Sequence, residues 1–111
     1  MSAPSDAAGL DRLIHEPNRL ALLTVLSSTE AADFVFLQRT LKLTNGNLSS
    51  HLAKLDDAGL ISVEKTFVGK RPNTSVSLTD LGRARIRDHW EQLDRLKSLS
   101  VGLDVSPERH R

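Results

Sequence analysis

Thr44-Asn45-Gly46-Asn47-Leu48-Ser49-Ser50-His51-Leu52-Ala53-Lys54-Leu55 is the stretch on which the reading of this chain turns. Thr44 is a capping type, whose hydroxyl can accept from the orphan N–H groups of a first helical turn. Leu48, Leu52 and Leu55 then recur at helical spacing as far as Ala58, and Gly59 is the kind of residue that commonly ends a helix. At about 100° per residue the leucines gather on one side of that helix. Gly46, Ser50, Ala53 and Lys54 lie broadly opposite, with Asn47 and Ser49 on the flanks. An ordinary surface helix accounts for the leucines, but it would carry longer charged side chains where Gly46, Asn47, Ser49 and Ser50 stand. Small residues let a backbone come close to a duplex. Asn can read adenine or bond a phosphate, and Lys54 can neutralise one.

Outward from this helix the pattern continues. Upstream, Asp33 is placed to cap a helix whose apolar positions are Phe34, Leu37 and Leu41, and the short link Lys42-Leu43 leads into Thr44. Two short helices joined this tightly form a unit whose second helix can enter a major groove. Farther upstream, Leu10, Leu13 and Ile14 predict a first helix over residues 10–14. Pro17 opens a second one carrying Leu20, Leu23, Val25 and Leu26, and Ser28 to Ala32 reads as a loop. Downstream the period changes to two: Ile61, Val63, Lys65 and Phe67 share one strand face, and Val76 and Leu78 another. Between them Gly69-Lys70-Arg71-Pro72-Asn73 predicts a basic hairpin tip. Thr79 caps a last helix, predicted over Thr79 to Leu99, with apolar positions Leu81, Ile86, Trp90, Leu93 and Leu96. Residues 1–9 are small and polar, so disorder is expected there, and residues 100–111 are expected to form a flexible tail.

Bulk composition bounds the function classes. The 111 residues suit one domain; 39% are hydrophobic but only 4% aromatic, so leucine, valine, isoleucine and alanine must build the core. Cysteine is absent, which removes disulfides, thiol catalysis and thiolate metal sites. No apolar run approaches the roughly 18 residues of a membrane span, and residues 1–9 do not resemble a secretory signal. A cytoplasmic location and no membrane partner are expected. The net charge of +1 conceals a gradient: residues 1–35 hold two basic and five acidic groups, residues 36–83 seven basic and four acidic. The positive excess falls on the helix pair and hairpin, though many solvated faces carry as much.

The run Leu43 to Leu52, then Lys54-Leu55 and Ala58-Gly59-Leu60-Ile61, resembles the recognition helix of MarR- and ArsR-like winged-helix regulators. Leu78-Thr79-Asp80-Leu81-Gly82-Arg83 is similar to the strand-to-helix junction that follows their wing. The resemblance covers roughly residues 10–97 and is greatest to the compact branch of winged-helix DNA-binding domain proteins. It implies a mainly α fold with a small β-hairpin, that is, a winged helix-turn-helix with a long C-terminal dimerisation helix, over residues 10–99. It further implies a homodimer on a pseudo-palindromic operator in double-stranded DNA. The contacts it assigns are Thr44, Asn45, Gly46, Asn47, Ser49, Ser50 and Lys54 on the recognition helix, with Lys70 and Arg71 on the wing. Lys65 is a weaker candidate, because the strand pattern puts it on the apolar side.

The spacing of Ile86, Trp90, Leu93 and Leu96 makes a stripe longer than a small domain can cover. It is expected to pack on the same helix of a second chain, assisted by Leu10, Leu13 and Ile14. The other reading is one long helix folding back on its own domain. No enzyme is expected: there is no Ser, His and carboxylate grouping and no glycine-rich phosphate loop. No cofactor or metal is expected either. Asp88, His89 and Glu91 diverge around a helix, and His51 beside the leucine stripe reads as packed or phosphate-bonding. A small organic effector remains open, with no separate domain to hold it. The rival class is a winged helix used for protein–protein contact, which would more often show an apolar or acidic outer face where this chain is small, polar and basic.

Overall fold

A computed structural model describes residues 11–103. In chain order the elements are α1 (Arg12–His15), α2 (Pro17–Ser27), β1 (Ala32–Asp33), α3 (Phe34–Leu41), α4 (Asn45–Asp57), β2 (Ile61–Val68), β3 (Arg71–Leu78) and α5 (Asp80–Leu103). The three strands form one antiparallel sheet in the order β1-β3-β2. Helices α2, α3 and α4 pack around Leu22, Leu23, Leu26, Leu37, Leu48 and Leu55, all fully buried. Ile61, Val76 and Leu78 close this core from the sheet side, and Ile86 closes it from α5.

Local chemistry explains where the helices start. Glu16 caps α2 by accepting from the Arg19 N–H at 2.9 Å, with Pro17 in the first turn, where its missing N–H costs nothing. Asp11 caps α1 by accepting from the Leu13 N–H at 3.0 Å. Helix α1 therefore begins at Arg12 rather than at Leu10, which lies outside the described residues. Burial alone would raise the Asp11 pKa; the hydrogen bond and charge of Arg85, together with the Ile14 and Leu13 N–H groups, offset it and hold the carboxyl below its ordinary value. Asp33 precedes α3 but makes no side-chain cap bond. Its carboxylate accepts instead from the Asn73 amide at 3.2 Å, because Ala32, expected as the end of a loop, and Asp33, expected only as a cap, pair with Val76 and Ser75 of β3.

Three further expectations are corrected. Ile14 and Ile86, predicted at a dimer interface, are buried in this chain's own core at 0% and 1% exposure, since α1 and the first half of α5 close over α2. The basic tip is shorter than five residues: Gly69 and Lys70 alone form the loop, and Arg71, Pro72 and Asn73 belong to β3. Gly69 has φ +65 and Lys70 does not share that sign, the pattern of a two-residue hairpin loop with glycine first. Finally, α5 passes Leu99 and continues to Leu103.

One junction ties the end of α4, the start of the sheet and the start of α5 together. Gly59 turns the chain with φ +77. The Thr79 hydroxyl donates to the Gly59 carbonyl at 2.7 Å and accepts from the Gly82 N–H at 3.0 Å, while the Thr79 N–H donates to the Leu60 carbonyl at 3.0 Å. Helix α5 lies so close to Leu60 that a Cβ on Gly82 would sit 2.0 Å from the Leu60 carbonyl oxygen. The clash is with backbone, so a side chain cannot rotate away to relieve it. Gly82→Ala should destabilise the fold by about 3 kcal/mol or more, lowering Tm by more than about 10 °C. An unchanged melting curve would contradict the close approach.

Where α1 meets α5, His15 Nδ1 and His89 Nε2 share a hydrogen bond at 3.2 Å. His89 is buried, and its Nδ1 has no hydrogen-bond partner among the described residues. Burial, and then the neighbouring His15, push the His89 pKa down, with Asp11 opposing them. The folded state thus binds a proton at His89 less readily than the unfolded chain, which takes one up below about pH 6.5. Stability should be fully present above that pH and fall as pH drops toward the lower folded pKa, by at most about 1.4 kcal/mol per pH unit from this residue. Urea unfolding between pH 7.5 and 5.5 measures the slope, which His89→Gln should flatten; an unaltered slope would remove His89 as its source.

Candidate nucleic-acid interface

The Thr44 hydroxyl accepts from the Asn47 N–H at 3.1 Å and starts α4, whose first turn holds no acid to neutralise the positive end of the helix. Leu48, Leu52 and Leu55 are buried, while Thr44, Asn45, Gly46, Asn47, Ser49, Ser50, Ala53 and Lys54 are exposed. The seven residues of this stretch singled out from the sequence are therefore all exposed. Gly46 is informative. A Cβ built there would meet nothing within 4 Å, so no packing within the chain requires glycine. Glycine in a helix costs roughly 0.5–1 kcal/mol relative to alanine, which here brings no gain inside the fold.

His51 does not join that surface. Its Nδ1 lies 3.3 Å from an Arg19 guanidinium nitrogen and 3.9 Å from a Glu16 carboxylate oxygen, and Arg19 Nε also donates to the Leu13 carbonyl at 2.6 Å. Of the two roles open to it, the packed one is seen: His51 ties the back of α4 to the α1–α2 corner. Sequence spacing placed His51 beside the leucines but held no signal for the Arg19 and Glu16 contacts, which cross 32 and 35 positions.

The β2–β3 hairpin projects beyond the core. Residues paired across antiparallel strands point to the same face, so the register sorts its side chains. Ile61 with Leu78, Val63 with Val76, Lys65 with Thr74 and Phe67 with Pro72 occupy one face; Glu64 with Ser75, Thr66 with Asn73 and Val68 with Arg71 occupy the other. The first face turns toward α4. Between Ser49, Ala53 and Asp56 of the helix and Val63, Lys65 and Thr74 of the hairpin runs an open groove of about 260 Å³. The strand pattern put Lys65 on the apolar side, and that is its face. Yet burial stops after Val63, so Lys65 is exposed on the groove. Lys70 sits in the loop, and Arg71 is exposed on the opposite face, so the two wing cations are not side by side.

Of the residues expected at a dimer contact, Leu13, Leu93 and Leu96 are half-buried and Trp90 is exposed. Asp88 and Glu91 are exposed while His89 is buried against α1, so these three do not converge. No group of three His, Asp or Glu among the described residues could hold a metal, and no described helix is long and apolar enough to cross a membrane.

Comparison with known proteins places this arrangement. A sequence family described as winged helix DNA-binding domain matches residues 18–97. An uncharacterized protein of Methanocaldococcus jannaschii is 32% identical over 71 residues, spanning 64% of this chain and 77% of that one. A transcriptional regulator homologue from Pyrococcus horikoshii OT3 is similar in structure with a TM-score of 0.77 and 31% identity, over 91% of this chain and 97% of that chain. A putative MarR-family regulator from Porphyromonas gingivalis W83 has a TM-score of 0.61 at 17% identity, over 81% and 83% of the two chains, a likeness of fold alone.

Proposed function

The chain belongs to the winged helix DNA-binding domain family, and from that premise we propose that it is a homodimeric transcription regulator reading a pseudo-palindromic duplex operator. Helix α4 enters the major groove, with Asn45, Gly46, Asn47, Ser49 and Ser50 facing the base edges and Thr44 and Lys54 bonding phosphates. Lys70 and Arg71 reach the backbone or the adjacent minor groove, and Lys65 contacts a phosphate from the groove between α4 and the wing. The observation that carries this reading is the outer surface of α4. It is small, polar and free of acids from Asn45 to Lys54, and it spends a glycine that the fold does not need.

The second half of α5 supplies the dimer. Beyond Ile86 and His89, Trp90 and Leu99 are exposed and Leu93 and Leu96 half-buried, an apolar stripe that the described residues leave partly open. Fourteen residues from Trp90 to Leu103 extend about 21 Å at 1.5 Å each. Pairing this stripe with its symmetry mate buries it, and the half-buried Leu13 joins the same contact, while Leu10 lies outside the described residues. A two-fold dimer sets two copies of α4 at successive major grooves, about 34 Å apart.

Binding to random-sequence duplex at several salt concentrations tests the DNA reading. Log K should fall linearly with log salt, and Lys70→Ala with Arg71→Ala should flatten the slope by up to about 2. Asn47→Ala or Ser50→Ala should instead change which sequences a random pool yields. No binding at low salt, or binding indifferent to salt, would contradict it. For the dimer, Trp90→Asp should halve the mass in sedimentation; a wild-type chain that sediments as a monomer, or a variant of unchanged mass, would remove α5 from the interface.

A further inference from the structure

We infer that Phe67 and Pro72 form an apolar contact for the sugar-lined wall of the DNA minor groove, so that the wing binds by hydrophobic burial as well as by charge. The inference rests on the reading of α4 as the major-groove helix. Phe67 is 70% exposed, the most open of the large apolar side chains described, and it stands directly across from Pro72 on the hairpin face turned toward α4. The fold gains nothing from that exposure: the apolar core of the hairpin ends at the Val63–Val76 pair, and on the rung between only Thr74 is half-buried.

The neighbours of this apolar rung indicate its occupant. Lys65 lies one rung below on the same face, Lys70 in the loop above, and Arg71 on the reverse side. An apolar protein partner has no need of three cations around the contact, whereas a polyanion does. The minor groove combines phosphate rims with deoxyribose walls that offer carbon surface to an apolar side chain. Along the open edge of β3 another β-strand is a poor fit. Pro72 has no N–H to give an added strand there, and it lies within Arg71 to Thr74, which β1 leaves unpaired along with Ser77 and Leu78.

The reach also agrees. At about 3.4 Å per residue, Phe67 lies roughly 14 Å beyond Val63 and the Gly69 loop roughly 20 Å beyond it. Half a turn of duplex, the step from a major groove to the adjoining minor groove, is about 17 Å. Measured from Val63, which lines the groove beside α4, the Phe67–Pro72 rung and the Lys70 loop bracket a reach of that length.

Salt titration of wild type, Phe67→Ala, Phe67→Leu and Lys70→Ala on a random-sequence 30-base-pair duplex separates the two kinds of contact. Phe67→Ala should weaken binding by about tenfold at every salt concentration while leaving the log K against log salt slope unchanged, and Phe67→Leu should recover most of the loss. Lys70→Ala should flatten the slope by about 1. Netropsin, which fills the minor groove, should reduce wild-type affinity more than it reduces that of Phe67→Ala. Because Phe67 is exposed, Tm should stay within about 2 °C of wild type. If Phe67→Ala binds as wild type does while Asn47→Ala loses its sequence preference, α4 reads DNA and the inference about the wing is wrong. If Phe67→Ala changes only the sedimenting mass, the rung is a self-association surface and the inference is also wrong. A wild-type chain that binds no duplex at low salt overturns the DNA reading itself.

Discussion

Gly82 against the Leu60 carbonyl is the contact on which the rest of this structure depends. Leu60 lies between the end of α4 and the start of β2, and Gly82 lies in the first turn of α5. Their close approach, with the Thr79 hydroxyl bonded to both Gly59 and Gly82, fixes three elements to one point. The proposed reading helix, wing and dimer helix all leave that point. In the proposed dimer, a rigid junction would turn two-fold pairing along α5 into a defined separation between two copies of α4. A looser one would let each α4 tilt, and a spread of tilts costs affinity for any operator of fixed spacing.

The molecule divides its apolar surface in two. One part is sealed within the chain, from Leu22 and Leu48 to Ile14 and Ile86. The other remains open at the far half of α5 and at the wing rung, where the described residues leave it exposed or half-buried. Open apolar surface is ordinary when scattered singly. Here it lies along a helix stripe and beside three cations, two settings that suit a second copy and a polyanion.

Much of this was legible in the sequence, and the failures have identifiable causes. The α4 pattern needed only local rules: a capping threonine, leucines at helical spacing and a terminal glycine. Each of those residues stands where that pattern put it. What local rules could not supply was the partner of a buried face. Ile14 and Ile86 have the spacing of a stripe, but spacing does not say whether the same chain or another covers it. The two-residue strand β1 was invisible because its cause is pairing with β3 across more than 40 positions, and that pairing also drew Asp33 away from its cap. Lys65 and Phe67 were assigned the correct face. Their exposure follows from the length of the hairpin beyond the core, a three-dimensional quantity that alternation does not encode.

The central claim is that two copies of α4 occupy successive major grooves of one duplex. Guanine N7 lies on the major-groove edge, so dimethyl sulfate protection on a site selected from random DNA reports that occupancy directly. Two protected patches whose centres lie about 10 base pairs apart are predicted. Binding that leaves every guanine N7 reactive, or protects one patch alone, would contradict the account.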